Sequence, residues 1–238
     1  LAELSRSFSE HVLDATDGEA PVGFNPLDVG DRDPDVVVDG ILAALAAVFH
    51  DSWGPRTEYL IQGALLSLAR AGQRRSEPYT LIDLPRVFTD DGFRRPIVTT
   101  VRDDPTLAAF WDEFDAMRPA QRAAAIASPL NKLRKIVLRK PLVAVLGQSR
   151  PRFRLRDIFR DRKVVLVPLN DALLGTGASR LLGSLVVAEL WMATLERARE
   201  KEPMKRPGMV FIDEVQNYLH LPTPIDDVLA TSRSYGVA

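Results

Sequence analysis

The apolar positions change their period twice along this chain. Residues Glu10 to Asp14 read as the tail of a strand. A turn-rich stretch follows from Asp17 to Asp33, punctuated by Gly18, Pro21, Gly23, Pro26 and Gly30. From Asp33 the spacing is helical. Asp33-Pro34 places an acidic cap before a proline at the first helical position, and Val36, Val37, Ile41, Leu45 and Val48 form one stripe. Pro55 opens a second helix, with Tyr59, Leu60, Ala64, Leu65 and Leu68 on one face and Gly72 near its end. Thr80-Leu-Ile-Asp83 has the form of a capping box. Asp104-Pro105 starts a helix through Phe110, Trp111 and Phe114, and Pro119 starts a longer one carrying Ala123, Ile126, Leu130, Leu133 and Val137. Asp33 to Gly147 is therefore expected to be helices joined by short turns.

After Gly147 the texture changes. Lys163-Val-Val-Leu-Val-Pro-Leu169 is a short continuous run, the pattern of a strand buried on both faces. Ser179 is placed to cap a helix reaching about Glu202, with Leu181, Leu182, Leu185, Val186, Leu190 and Leu195 inward. Gly208-Met-Val-Phe-Ile-Asp213 reads as a second buried strand. A helix from about Pro224 to Tyr235 follows, then Gly236-Val-Ala238 as the start of another strand. Strand, long helix, strand, helix, strand predicts an open parallel sheet.

Composition narrows the chemistry. The chain has 238 residues, 46% apolar and 26% charged, with a net charge of −1, as a folded globular protein would. It has no cysteine, which removes disulfides, thiolate metal sites and thiol catalysis. Its three histidines, His11, His50 and His220, are far apart in sequence. No apolar run approaches the length of a membrane span. The chain starts at Leu1 rather than Met and shows no signal peptide, which leads us to expect a fragment.

Near-neutrality conceals two opposed regions. Leu1 to Glu58 holds twelve acids and three bases, a balance of −9. Lys132 to Lys163 holds twelve bases and two acids, a balance of +10. Within it, Lys132, Arg134, Lys135, Arg139, Lys140, Arg150, Arg152 and Arg154 are candidates for a surface facing DNA or an acidic partner. A solvated face plus a charged strand edge explains the same run, because Arg152-Phe-Arg-Leu-Arg156 alternates with period two.

The motif with chemistry is Met209-Val-Phe-Ile-Asp213-Glu214. An apolar strand ending in two acids fixes carboxylates where ligands of open α/β sheets sit. An Asp there suits Mg²⁺ held through water, and an adjacent Glu suits activation of a water that attacks a γ-phosphate. This is a Walker B pattern; a buried strand that happens to end in Asp-Glu satisfies it too.

The continuation resembles a known family. Asp213-Glu-Val-Gln-Asn-Tyr218 followed by Arg233-Ser-Tyr-Gly-Val237 resembles the RecA-like ATPases of the HerA/FtsK superfamily, most closely the TraG/TraD-type coupling proteins of conjugation and type IV secretion. Val22-Gly-Phe-Asn25-Pro-Leu27, Trp53-Gly-Pro-Arg56, Leu130-Asn-Lys-Leu133, Leu146-Gly-Gln148, Val165-Leu-Val-Pro-Leu169 and Arg180-Leu-Leu-Gly183 resemble family segments in the same order. The resemblance implies a RecA-like P-loop ATPase sheet, present in part, with an inserted all-α domain. The expected divisions are 1–32 and 149–238 for the nucleotide-binding domain and 33–148 for the insertion. It implies ATP and Mg²⁺ as cofactors, Asp213 holding the metal through water, Glu214 as catalytic carboxylate, and Arg233 as an arginine finger reaching a neighbouring subunit. A helix-end arginine bonded to the last carbonyls is the simpler account of Arg233. Gln216 and Asn217 are given a structural role, and Arg180 is read as a solvated helix-start residue.

The implied activity is ATP-driven translocation of DNA, as a relaxase–DNA complex, towards type IV secretion channel components. A homo-oligomeric ring would do this at the cytoplasmic face of the bacterial inner membrane. A soluble HerA-like translocase and a non-hydrolysing scaffold binding DNA or protein are the alternatives. In the family the Walker A loop lies upstream of the position matching Leu1, so this chain is expected to be cut inside the ATPase domain at both ends. No Gly-x-x-x-x-Gly-Lys-Ser/Thr loop is present; Gly18 and Gly23 have the glycine spacing, but Phe24 follows. The glutamine-bearing strand expected after the arginine helix is missing as well. The chain is therefore expected neither to bind ATP tightly nor to hydrolyse it unaided.

Overall fold

A computed structural model describes residues 10–221 and 223–238. The first nine residues of the segment assigned to 1–32 lie outside the described residues. β1 (Glu10–Val12) leads through an irregular stretch to α1 (Pro34–Val48) and α2 (Pro55–Gln73). Four further helices follow: α3 (Leu84–Thr89), α4 (Asp91–Thr100), α5 (Pro105–Ala116) and α6 (Pro119–Val137). α7 (Lys140–Leu146) closes this helical region, and α8 (Ile158–Asp161) precedes β2 (Val164–Leu166). α9 (Asp171–Leu174), the long α10 (Thr176–Glu196) and α11 (Ile225–Ser234) complete the chain.

The helix boundaries follow local chemistry. Asp33 accepts a hydrogen bond from Asp35 N, and Asp104 accepts from Thr106 N and Leu107 N, each just ahead of a helix-opening proline. The Thr80–Asp83 capping box is formed, on a single 3₁₀ turn running into α3. α3 and α4 are separate short helices divided at Asp90, whose side chain caps the second.

The expected α/β sheet is not what forms, and that expectation is corrected here. The molecule is 64% helix and 3% strand. β1 and β2 pair in parallel, with Glu10 opposite Val164 and Val12 opposite Leu166. A single parallel bridge joins Gly208 to Val237. The architecture is a mainly helical body with this small sheet against it, not a RecA-like sheet. The physical reason is a shortage of partner edges. Pro168 has no amide to donate, so β2 stops early. Met209–Ile212 is extended but paired on one side only, and Phe211 is 88% exposed. The alternating Arg152–Arg156 segment also forms no strand. Phe153 and Leu155 are buried while Arg152 and Arg154 are exposed, yet Leu155–Asp157 closes a 3₁₀ turn.

One hydrophobic core runs from Leu13 to Met192. α10 lies at its centre, packed against α1 where Gly40 meets Ala188. It begins at Thr176, ahead of the expected Ser179, because Gly175 takes a positive φ and turns the chain into the helix. Thr176–Arg199 is long and apolar enough to cross a membrane, but 78% of its most apolar window is buried inside the protein, as befits a core helix. Under α2, Trp111 is fully buried and its indole N–H donates to Ser67 Oγ at 2.8 Å, while Ser67 donates to Gly63 O. Phe110 lies over Gly63, where a Cβ would collide with the ring.

Two polar ties hold the loop before α1. Asn25 Nδ2 donates to Tyr79 O and Ser149 O, and its Oδ1 accepts from Leu27 N. Gln148 donates to Pro21 O and Ala144 O. The Gly-Phe-Asn-Pro-Leu stretch is thus a latch between the start and the end of the helical region. Farther on, Arg32 and Glu189 form a buried ion pair at 2.9 Å. Burial pushes the Glu189 carboxyl up from the usual carboxylate range, and Arg32 opposes that.

Removing one partner of such a pair strands the other. Arg32→Ala, which leaves the Glu189 carboxylate without its partner, should lower the unfolding free energy by about 3–5 kcal/mol in urea titration, whereas Arg32→Met with Glu189→Leu should stay within about 1 kcal/mol of the parent or exceed it. Equal losses in the two variants would show that the pair is not acting as a unit.

Candidate functional site

The basic run divides between two places. Lys135 and Arg139 lie near the end of α1, beside Phe49 and Gly177, and Arg134 and Lys140 are exposed on the same α6–α7 corner. Arg139 donates to Leu174 O, which spends part of its charge on the end of α9. Lys132 is not part of that surface. It is 5% exposed, its ammonium donates to Ser128 Oγ at 2.8 Å, and desolvation, then Lys135, holds its pKa below the usual lysine value.

Arg150, Arg152 and Arg154 form the second group. They line a cleft of about 550 Å³ together with Arg75, beyond the end of α2, and Lys163, ahead of β2. Against these five cations the cleft holds two acids, Asp28 and Asp157. The guanidiniums are partly anchored. Arg75 donates to Tyr79 Oη at 2.7 Å and lies 4.4 Å from that ring's centre. Arg150 donates to Ser76 O, and Arg154 pairs with Asp157 at 3.1 Å. Lys163 sits 4.9 Å from the centre of the buried Phe153 ring. Arg152 makes no ion pair among the described residues. Anchored arginines with donors left over are suited to phosphate oxygens. Arg75 escaped the sequence reading because it lies far from the basic run; the Arg74-Arg75 pair after a helix was the available signal.

Asp213 and Glu214 lie elsewhere, on a turn after the extended Gly208–Ile212 segment. Asp213 Oδ1 accepts from Glu214 N at 2.9 Å, and Glu214 Oε2 accepts from Asn217 Nδ2 at 3.0 Å. Both carboxylates are exposed. Glu214 has φ 50°, a left-handed conformation unusual for a residue with a side chain. Arg233 is exposed in the last turn of α11 and makes no ion pair among the described residues. Arg180 is likewise exposed, in the first turns of α10.

These residues do not by themselves make a site for Mg²⁺ and ATP. No group of three His, Asp or Glu side chains with metal-binding geometry occurs among the described residues. No phosphate-cradling loop accompanies the two carboxylates among the described residues. No step of nucleotide hydrolysis therefore follows from this chain's geometry.

No family model, curated protein or solved structure matches the chain.

The Glu214 backbone is directly testable. A left-handed residue with a Cβ costs about 1–2 kcal/mol, and glycine's flexibility returns about half of that. Glu214→Gly should raise the unfolding free energy by about 0.5–1 kcal/mol. A fall instead would show that the carboxylate holds the turn and is not there for an external ligand.

Proposed function

We propose that this chain belongs to an ATP-driven motor that passes DNA, as a relaxase–DNA complex, to a type IV secretion channel. Its own contribution is to grip the phosphodiester backbone. The observation that carries this is the convergence of Arg75, Arg150, Arg152, Arg154 and Lys163 on one cleft from two distant parts of the sequence. The exposed α6–α7 cations extend the same polarity. No aromatic ring stands exposed among the cleft's cations, since Phe153 is buried and Tyr79 is covered by Arg75. The contact is therefore to phosphate and indifferent to base sequence.

The motor reading also draws on the collinear resemblance to coupling proteins. On that reading the site operates in a ring at the cytoplasmic face of the bacterial inner membrane, and Asp213, Glu214 and Arg233 are one part of a nucleotide site. A non-hydrolysing scaffold binding DNA or protein is the second reading, and a whole protein without a phosphate-cradling loop would favour it. The 238-residue chain should release no phosphate from Mg·ATP above background on either reading. Steady turnover by the chain alone would reject that division of labour.

DNA binding is tested by its salt dependence. Arg150→Glu with Arg152→Glu should weaken binding of a DNA oligonucleotide at least tenfold, whatever its sequence. It should also flatten the plot of log K against log salt by about two, near 0.9 for each lost phosphate contact. Lys135→Glu with Lys140→Glu should have the smaller effect. Unchanged affinity and slope in the first variant would sink the DNA reading.

A further inference from the structure

The cleft between β2 and the Gly208–Ile212 segment has the form of a sheet with one strand left out. It measures about 1040 Å³ and is floored by α10 through Gly183, Val186, Val187 and Leu190. Its walls run in the same direction. Phe159, ahead of β2, packs against Gly208 and shares a small cluster with Ala193 and Val210. At the other end, Leu169 and Tyr218, which follow the two walls, both abut Gly183. Both segments thus run antiparallel to α10 and parallel to each other, as the walls of a β–α–β unit do.

Each wall is paired on its outer side only. Leu166 O accepts from Leu13 N across the β1–β2 pair. Gly208 N donates to Gly236 O, and Val210 N donates to Ala238 O. The pleat then directs the backbone of Val165 and Val167, and of Met209 and Phe211, to the cleft side. The amides of Val167, Met209 and Phe211 make no hydrogen bond among the described residues. The side chains are equally unprovided for. Phe211 is 88% exposed, Met209 73% and Val164 39%. Parallel strands in folded proteins are covered, and facing unpaired edges of this apolarity mark a place where another strand belongs.

The charges state which strand. The amino ends of both walls carry cations, Arg162 and Lys163 on one and Lys205 and Arg206 on the other. Lys163 and Lys205 are paired with Asp161 and Glu202, whereas Arg162 and Arg206 have no ion partner among the described residues. The carboxyl end carries Asp213 and Glu214. We propose that this cleft binds an extended segment of a partner polypeptide as an inserted parallel strand. The segment has about five apolar residues, matching the length of the walls, with a carboxylate before them and a lysine or arginine after them. Its backbone completes a ladder on both edges, and its flanking charges meet the arginines at one end and the carboxylates at the other. The inference stands independently of the DNA surface, which lies on other residues apart from Lys163, but it draws on Asp213 and Glu214, so a strand seated here and a nucleotide held by those carboxylates exclude one another.

Three synthetic peptides with blocked ends, added to the whole 238-residue chain, test it. The first is Asp-Val-Ile-Val-Ile-Val-Lys; the second exchanges its Asp and Lys; the third is the first with alternate amides N-methylated. The first should bind at least tenfold more tightly than either of the others. It should slow hydrogen exchange at least tenfold at Val165, Val167, Met209 and Phe211. A Met209→Pro variant should lose that binding, and wild-type protein with the N-methylated peptide gives the same reading without a mutation. Equal binding of all three peptides, protection at other residues only, or no protection at millimolar peptide would overturn the proposal. Closure of the cleft by a second copy of this chain, seen as a dimer in sedimentation that the first peptide does not dissociate, would also overturn it.

Discussion

The Arg32–Glu189 ion pair ties the loop before α1 to the central helix of the core. Glu189 lies on the most buried helix of the fold, and Arg32 belongs to the loop that delivers the chain into α1. Two charges brought together out of water are strongly held in one geometry, because the alternative is an unpaired charge in an apolar core. The pair is not isolated. Arg32 also reaches Glu196 at 3.5 Å, and Arg156 bonds Val29 O and Asp31 on the same loop. That arrangement draws the segment bearing Arg150–Arg156 onto the loop before α1. The anion cleft forms beside that junction, bounded on its far side by the end of α2.

A second consequence concerns α10 itself. With α1 on one side and β2 and the 208–212 segment on the other, this helix is buried nearly all round, so its apolar residues show little helical bias. That explains why its overall length and composition would also suit a membrane span although its longest unbroken apolar run is short. Packing, not composition, decides between the two here.

The helical half of the fold was legible residue by residue. Asp33-Pro34, Pro55, Asp104-Pro105 and Pro119 each open a helix with proline in its first turn, and Asp33 and Asp104 add a side-chain cap, all signals that act within a few residues. The sheet was not legible in the same way. Lys163–Leu169 and Gly208–Asp213 have the composition of buried strands, but a strand is completed by a neighbour, and composition does not say whether one is present. The sites divide along the same line. Asp213, Glu214 and Arg233 stand exposed, whereas Lys132 followed its own helix face into the core. The joining of Arg75 to Arg150 and Arg152 depended on tertiary contacts, through Ser76 and Tyr79, that no local pattern encodes.

The two clefts differ in what they lack. The basic cleft has its guanidiniums partly satisfied by Ser76 O, Tyr79 Oη and Asp157, so it is stable as it stands and gains from an anion without needing one. The cleft over α10 is unsatisfied in both currencies that stabilise a sheet, backbone hydrogen bonds and buried apolar area. A two-stranded parallel pair is marginal in water, and a single bridge is weaker still. Both nonetheless hold their extended form, because α10 supports one side of each through Val186, Leu190 and Ala193. The body is therefore preorganised for a strand. The backbone is already extended, the edges are already parallel and the flanking charges are already sorted by sign. Ordering costs that a binding segment would otherwise impose on this side of the interface have been met in folding.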